Sequence, residues 1–192
     1  MPTQNKFTLF SSILLVISLS FNSSGITEEL NYQQYNLEEI INSGHHFFAE
    51  TSGGLATILK NLFSKYGLPN AYILGEEGSG AFFFGLTYGE GIIHTKNLGT
   101  QKIFWQGPSF GWDFGGRGSR VMILVYNLNS VFNLFERYGG ISGSAYLIAG
   151  LSFDLLKRGT LVLVPIHTGV GARVGINIGY LKFSAIPTWN PF

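Results

Sequence analysis

The sequence predicts a mainly β fold, a small antiparallel β-barrel or closed sandwich of about eight to ten strands. One packed amphipathic helix and a short connecting helix complete it. Three observations predict this class. Gly accounts for 26 of 192 residues and aromatics for 15%, whereas charged residues are only 12%, a texture that suits many strands joined by tight turns. Beyond residue 70, short apolar or alternating runs recur between Gly-containing turn signals every ~8–12 residues, the rhythm of antiparallel sheets rather than of βαβ units. One segment carries a clear helical period, with Leu55, Ile58, Leu59, Leu62, Phe63 and Tyr66 at i, i+3, i+4, i+7, i+8 and i+11.

The elements follow in chain order. Residues 1–6 carry one positive charge and no acid, residues 7–21 are apolar and uncharged, and Ser23, Ser24 and Gly25 follow. This is the layout of a cleaved secretory signal over residues 1–25, with cleavage expected after Gly25. The apolar run of 15 residues is shorter than the ~20 of a spanning helix; retention by an uncleaved N-terminal anchor is the alternative. No later stretch is long and apolar enough for a transmembrane span. Residues 26–50 read as a polar acidic leader holding Glu28, Glu29, Glu38, Glu39 and Glu50, with room for short helices. The domain proper is expected over residues 51–184. Its first helix has Thr51 or Ser52 as N-cap, Gly67 as C-cap and Pro69 as a stop. Strands are expected at 71–74, 81–88, 92–96, 102–105, 121–126, 144–149, 161–165 and 174–183, with weaker ones at 109–114 and 152–156. Residues 130–137 place Val131, Leu134 and Phe135 on one side of a short helix, and residues 185–192 form a C-terminal tail.

Composition and motifs exclude more chemistry than they suggest. There is no Cys, which removes disulfides, Cys-ligated metals and thiol catalysis. A net charge of +1 gives no global field for nucleic acid. The run Gly107-Pro108-Ser109-Phe110-Gly111 fits G-x-S-x-G, and Asp154 and His167 follow in hydrolase order. The residues after it cannot start the helix that a nucleophile elbow needs, so it reads as a Gly/Pro turn between strands. Gly89-Glu90-Gly91 lacks the spacing of a phosphate cradle and reads as a tight turn, a bulge or a close strand contact. Glu76 and Glu77, if extended, point to opposite faces and cannot share a substrate; a turn closed by Gly78-Ser79-Gly80, or a salt bridge, is the expected role. His45, His46, His94 and His167 form no H-x-x-x-H or H-E-x-x-H pair, and nothing calls for a metal or cofactor.

Several strings together carry a resemblance. They include 65–73 (KYGLPNAYI), Gly75-Glu76-Glu77, Tyr88-Gly89-Glu90-Gly91, Trp105-Gln106-Gly107-Pro108-Ser109, Gly143-Ser144-Ala145-Tyr146 and Gly179-Tyr180-Leu181-Lys182. In this order the chain resembles the EipA-like family of exported bacterial proteins over roughly residues 50–184. The resemblance implies a periplasmic protein of Gram-negative bacteria with a small antiparallel barrel and a role in envelope integrity, and it supplies no catalytic residues. A patchier similarity to SYLF (Ysc84-like) domains implies binding of anionic lipid.

The expectation is therefore a non-enzymatic periplasmic protein that binds an envelope component, whether a lipid headgroup, a lipopolysaccharide-related molecule or a protein. Lys96, Trp105, Trp112, Arg117 and Arg120 are the expected contacts, because they cluster around the Gly-rich loops, where aromatics would give contact area and Arg would meet phosphate. The rival is an envelope hydrolase using Ser109 or Glu90.

Overall fold

The computed structural model describes residues 33–48, 53–80, 84–110, 119–141, 146–148, 151–168 and 179–190. These residues lie within one compact unit, Tyr32–Phe192.

Helix α1 spans Leu37–Phe48 and starts on a capping box. The Glu39 amide donates to Asn36 Oδ1 at 2.9 Å and the Asn36 amide to Glu39 Oε2 at 2.7 Å. Glu38 and Glu39 in its first turn and His45 and His46 in its last suit the helix dipole. Helix α2, Gly53–Tyr66, buries the expected stripe of Leu55, Ile58, Leu59 and Leu62. It stops where Gly67 adopts φ +78° and its amide donates to the Phe63 carbonyl at 2.9 Å. The expected N-caps, Thr51 and Ser52, lie outside the described residues.

The strands are β1 (Ala71–Gly80), β2 (Phe84–Thr95), β3 (Gly99–Phe110), β4 (Ser119–Tyr126), β5 (Arg137–Gly140), β6 (Tyr146–Ile148), β7 (Leu151–Phe153), β8 (Leu156–Arg158), β9 (Leu161–Thr168) and β10 (Tyr180–Ser184). Among the described residues they form one sheet in the order β4-β1-β2-β3-β10-β5-β8-β9-β7-β6, and β4 also pairs with β9. That last pairing, from Val121↔His167 to Tyr126↔Val162, closes eight strands into an antiparallel barrel. β8 and β7 lie end to end along one edge of β9, interrupted at Asp154 and Leu155. The mainly β, closed architecture is the one the sequence predicts.

Alternation sorts the side chains into two apolar clusters. Ala71, Ile73, Ile93, Ile103, Trp105 and Phe183 are among those that fill the interior. One end is plugged by a 3-10 turn, Val131–Leu134, whose Leu134 is buried with Val131 and Phe135 packed beside it. The second cluster lies outside the wall, where Met122, Leu124, Val164 and Ile166 meet Ile40, Leu55 and Leu59 of the helices. β4 is thus buried on both faces, which explains its unbroken apolar run.

Three expectations need correction. Residues 37–48 are not a leader to the domain but a helix packed on it, with Ile40, Gly44 and Phe48 buried. Gly44 sits where α1 meets α2 and β4: a Cβ there would lie 2.6 Å from Leu55 Cδ2 and 3.4 Å from Met122 Sδ. Of the readings offered for Gly89-Glu90-Gly91, close strand contact holds; the run lies mid-strand and joins two expected strands into β2. Residues 107–110 are likewise the end of β3, paired with β2 as far as Phe84↔Phe110. Among the described residues the β10 ladder runs over Phe104–Gln106, so Pro108 breaks no pairing described there. Residues 81–83, 111–114 and 174–178 of the expected strands lie outside the described residues.

Gly89 is where the interior demands a residue without Cβ. A Cβ there would fall within the Trp105 indole, against Cε2 and Nε1. Trp105 is only 1% exposed and packs against Phe183. Gly89→Ala is expected to cost about 3 kcal/mol of stability in urea unfolding. A loss within ~0.5 kcal/mol, the range of an ordinary surface change, would contradict this packing.

Candidate functional site

Of the expected contact residues, Lys96, Trp105 and Arg120 are among those described, and these three do not lie together. The Trp105 indole packs in the barrel interior and is 1% exposed, while the residue also borders a cavity on the outer wall. Lys96 pairs with Glu39 at 2.9 Å and sits 5.1 Å from the Tyr35 ring, tying the start of α1 to the β2–β3 turn. Arg120 donates from Nη1 to the Phe47 carbonyl at 3.0 Å and lies over the Phe47 ring, holding the last turn of α1. Both cations fasten a helix to the wall. Trp112 and Arg117 lie outside the described residues. Of the hydrolase candidates, Glu90 faces outward in an exposed pair with Lys102 at 3.2 Å. Ser109 lies in β3, and its side chain is not among those described.

Alternation instead builds a groove on the outer wall. Glu76 of β1, Tyr88, Gly89 and Glu90 of β2, and Phe104, Trp105 and Gln106 of β3 line it, and Pro187, Thr188 and Trp189 of the tail form its far side. The cavity is about 230 Å³. Register places Glu76 opposite Glu90, so two carboxylates share this face. The tail is fastened by Tyr88, whose hydroxyl donates to the Trp189 carbonyl at 3.1 Å, and by Lys182, whose Nζ donates to the Asn190 carbonyl at 3.4 Å. The Tyr88 and Trp189 rings lie 5.1 Å apart. Trp189 is nevertheless 83% exposed, whereas Gln106 is 1% exposed and its Nε2 has no hydrogen-bond partner. The lining offers aromatic surface, carboxylate acceptors and an amide donor, which is equipment for binding. Sequence reasoning missed it, although Tyr88, Glu90, Phe104 and Gln106 follow the period-2 signal of adjacent strands.

A second polar cluster lies inside the barrel. Glu77, the inward neighbour of Glu76, is 3% exposed and accepts from Trp105 Nε1 at 3.2 Å. His167 Nε2 lies 2.9 Å from the other carboxylate oxygen of Glu77. The salt-bridge role expected for the Glu76-Glu77 pair therefore falls to Glu77; residues 78–80 continue β1 instead of turning. Asp154, at the interruption between β7 and β8, is pushed up to about 6 by burial, with His167 opposing the shift and Glu77 adding to it.

Folding therefore favours the protonated form of Asp154. Its contribution to stability is complete below the ordinary aspartate value of about 4 and is lost as pH rises through about 6. Asp154→Asn, a neutral mimic, is expected to leave stability near pH 4 little changed. Above pH 6 it should raise stability by about 2 kcal/mol, partial solvent contact trimming the full effect. Urea melts across that range check it, and an equal change at both ends would contradict it.

Comparisons with known proteins agree with this architecture. No curated protein matches the chain significantly. The chain is similar to the crystal structure of a β-barrel-like, uncharacterized protein from Brucella abortus, with 65% sequence identity and a TM-score of 0.76. That match covers 83% of this chain and 99% of the other. Residues 33–192 match the family described as envelope integrity protein A, a span that takes in both α1 and the tail wall of the groove. The chain belongs to the EipA, or envelope integrity protein A, family.

Proposed function

We propose that the chain is exported to the periplasm and supports envelope integrity, without catalysing a reaction, by holding an envelope component in its outer groove. Family membership links it to the envelope. Residues 1–25 have the charge and apolar layout of a cleaved signal. Among the described residues no helix is long and apolar enough to cross a membrane.

The observation that carries the reading is the state of Trp189. A large aromatic side chain is held in place through its backbone carbonyl by Tyr88, yet remains 83% exposed beside a concave lining that includes Tyr88 and Phe104. Such a residue supplies contact area at low entropic cost. The interior offers no comparable room where it is described, because Trp105, Tyr138 and Phe183 pack against one another there.

The test is co-sedimentation of the purified chain with isolated envelope fragments. Tyr88→Ala combined with Trp189→Ala is expected to weaken retention about tenfold, the equivalent of one lost aromatic contact. Phe132→Ala, which removes another aromatic that is 81% exposed but outside the groove, should leave retention unchanged. Equal retention of the groove variant and the parent would overturn the proposal.

A further inference from the structure

We infer that the groove's ligand is a neutral sugar ring, an inference that rests on the groove being the binding surface. Four observations converge on that chemistry. First, Tyr88, Phe104 and Trp189 present aromatic surface on which the C–H face of a pyranose can lie. Second, Glu76 and Glu90, opposite each other in register, are exposed acceptors for hydroxyl donors. Third, Gln106 on the floor has a buried Nε2 with no partner, a donor waiting for an oxygen acceptor. One ligand must therefore offer donors, acceptors and an apolar face together, which a sugar ring does.

Charge is the fourth observation. Lys102 pairs with Glu90 and packs 5.3 Å from the Phe104 ring, and Lys182 lies opposite Gln106 in register. Glu76 lies opposite Arg120 and Lys182 opposite Arg137 in register, so each carboxylate on this wall has a basic neighbour. A phosphate would meet the carboxylates, and a free cation would compete with Lys102 for the place beside Glu90. The volume of about 230 Å³ is below the ~300–1,000 Å³ of drug-sized pockets and suits a single ring.

Nε2 of Gln106 is closed to water by the lining around it, which includes the tail wall of Pro187, Thr188 and Trp189. A sugar oxygen that reaches Gln106 must displace part of that wall, so binding is coupled to the environment of Trp189.

The experiment is calorimetric titration of the full chain with glucose, galactose and N-acetylglucosamine, with choline and inorganic phosphate as comparators, alongside tryptophan fluorescence. At least one sugar is expected to bind with Kd of about 1 mM and to shift the emission. Trp189→Ala should abolish the heat, and Glu76→Gln should weaken binding about fivefold. Gln106→Leu is the sharpest variant. It removes an unsatisfied buried donor, so it should raise the melting temperature while weakening sugar binding about tenfold. Absence of heat with all three sugars overturns the inference, as does binding of choline or phosphate alone, or equal sugar binding by the Trp189→Ala variant. If sugars fail while envelope retention still depends on Tyr88 and Trp189, only the sugar assignment falls. If sugars bind but retention ignores the groove, the assignment stands and the envelope-binding role falls.

Discussion

The structure depends on the pairing of β4 with β9. Without it, both strands would present long, apolar edges with unpaired backbone groups, the arrangement most prone to pairing with another chain. With it, the sheet closes and each strand acquires an inside and an outside. β4 is then covered on both faces, by the interior cluster and by the two helices, so the helices are part of the barrel's stability rather than an accessory. This explains why Lys96 and Arg120 are spent at the two ends of α1. They secure the element that covers the closing strands.

Closure also separates two polar sites that adjacent residues build. Glu76 and Glu77 differ by one position, and the pleat sends the first to the outer groove and the second to the interior beside His167 and Trp105. The inner carboxylate is held by an indole N–H and an imidazole in a closely packed space. The outer one meets solvent, aromatics and the tail. The groove is a property of the wall, reached without opening the barrel.

Much of this was legible in the sequence because the signals were local. The stripe from Leu55 to Tyr66, the Gly67 stop and the Val131–Leu134 turn each lie within a few residues of their cause. The misreadings have physical reasons too. Turn, bulge and close contact stay open for Gly89 and Gly91 because each asks for a residue without Cβ, and only the register decides for close packing against Trp105 and the β1 backbone. α1 was hidden by its charge, although the Asn36–Glu39 capping box and the Ile40, Gly44, Phe48 spacing were its signature. The groove was hidden because it joins residues 76 to 106 with a tail beyond residue 185, and no local pattern announces that contact. Basic and aromatic content pointed to Lys96, Trp105 and Arg120; the two cations hold the ends of α1, and Trp105 packs in the interior while bordering the groove.

The central claim is that ligand meets the outer wall and leaves the interior closed. The indole N–H resonances of the two described tryptophans that flank this division report on it directly. On addition of envelope-derived saccharide, the Trp189 resonance should shift, while that of Trp105, which borders the cavity but has its N–H engaged by Glu77 inside the barrel, should move less. A shift of the Trp105 resonance with Trp189 unmoved would place the ligand inside the barrel and contradict the account.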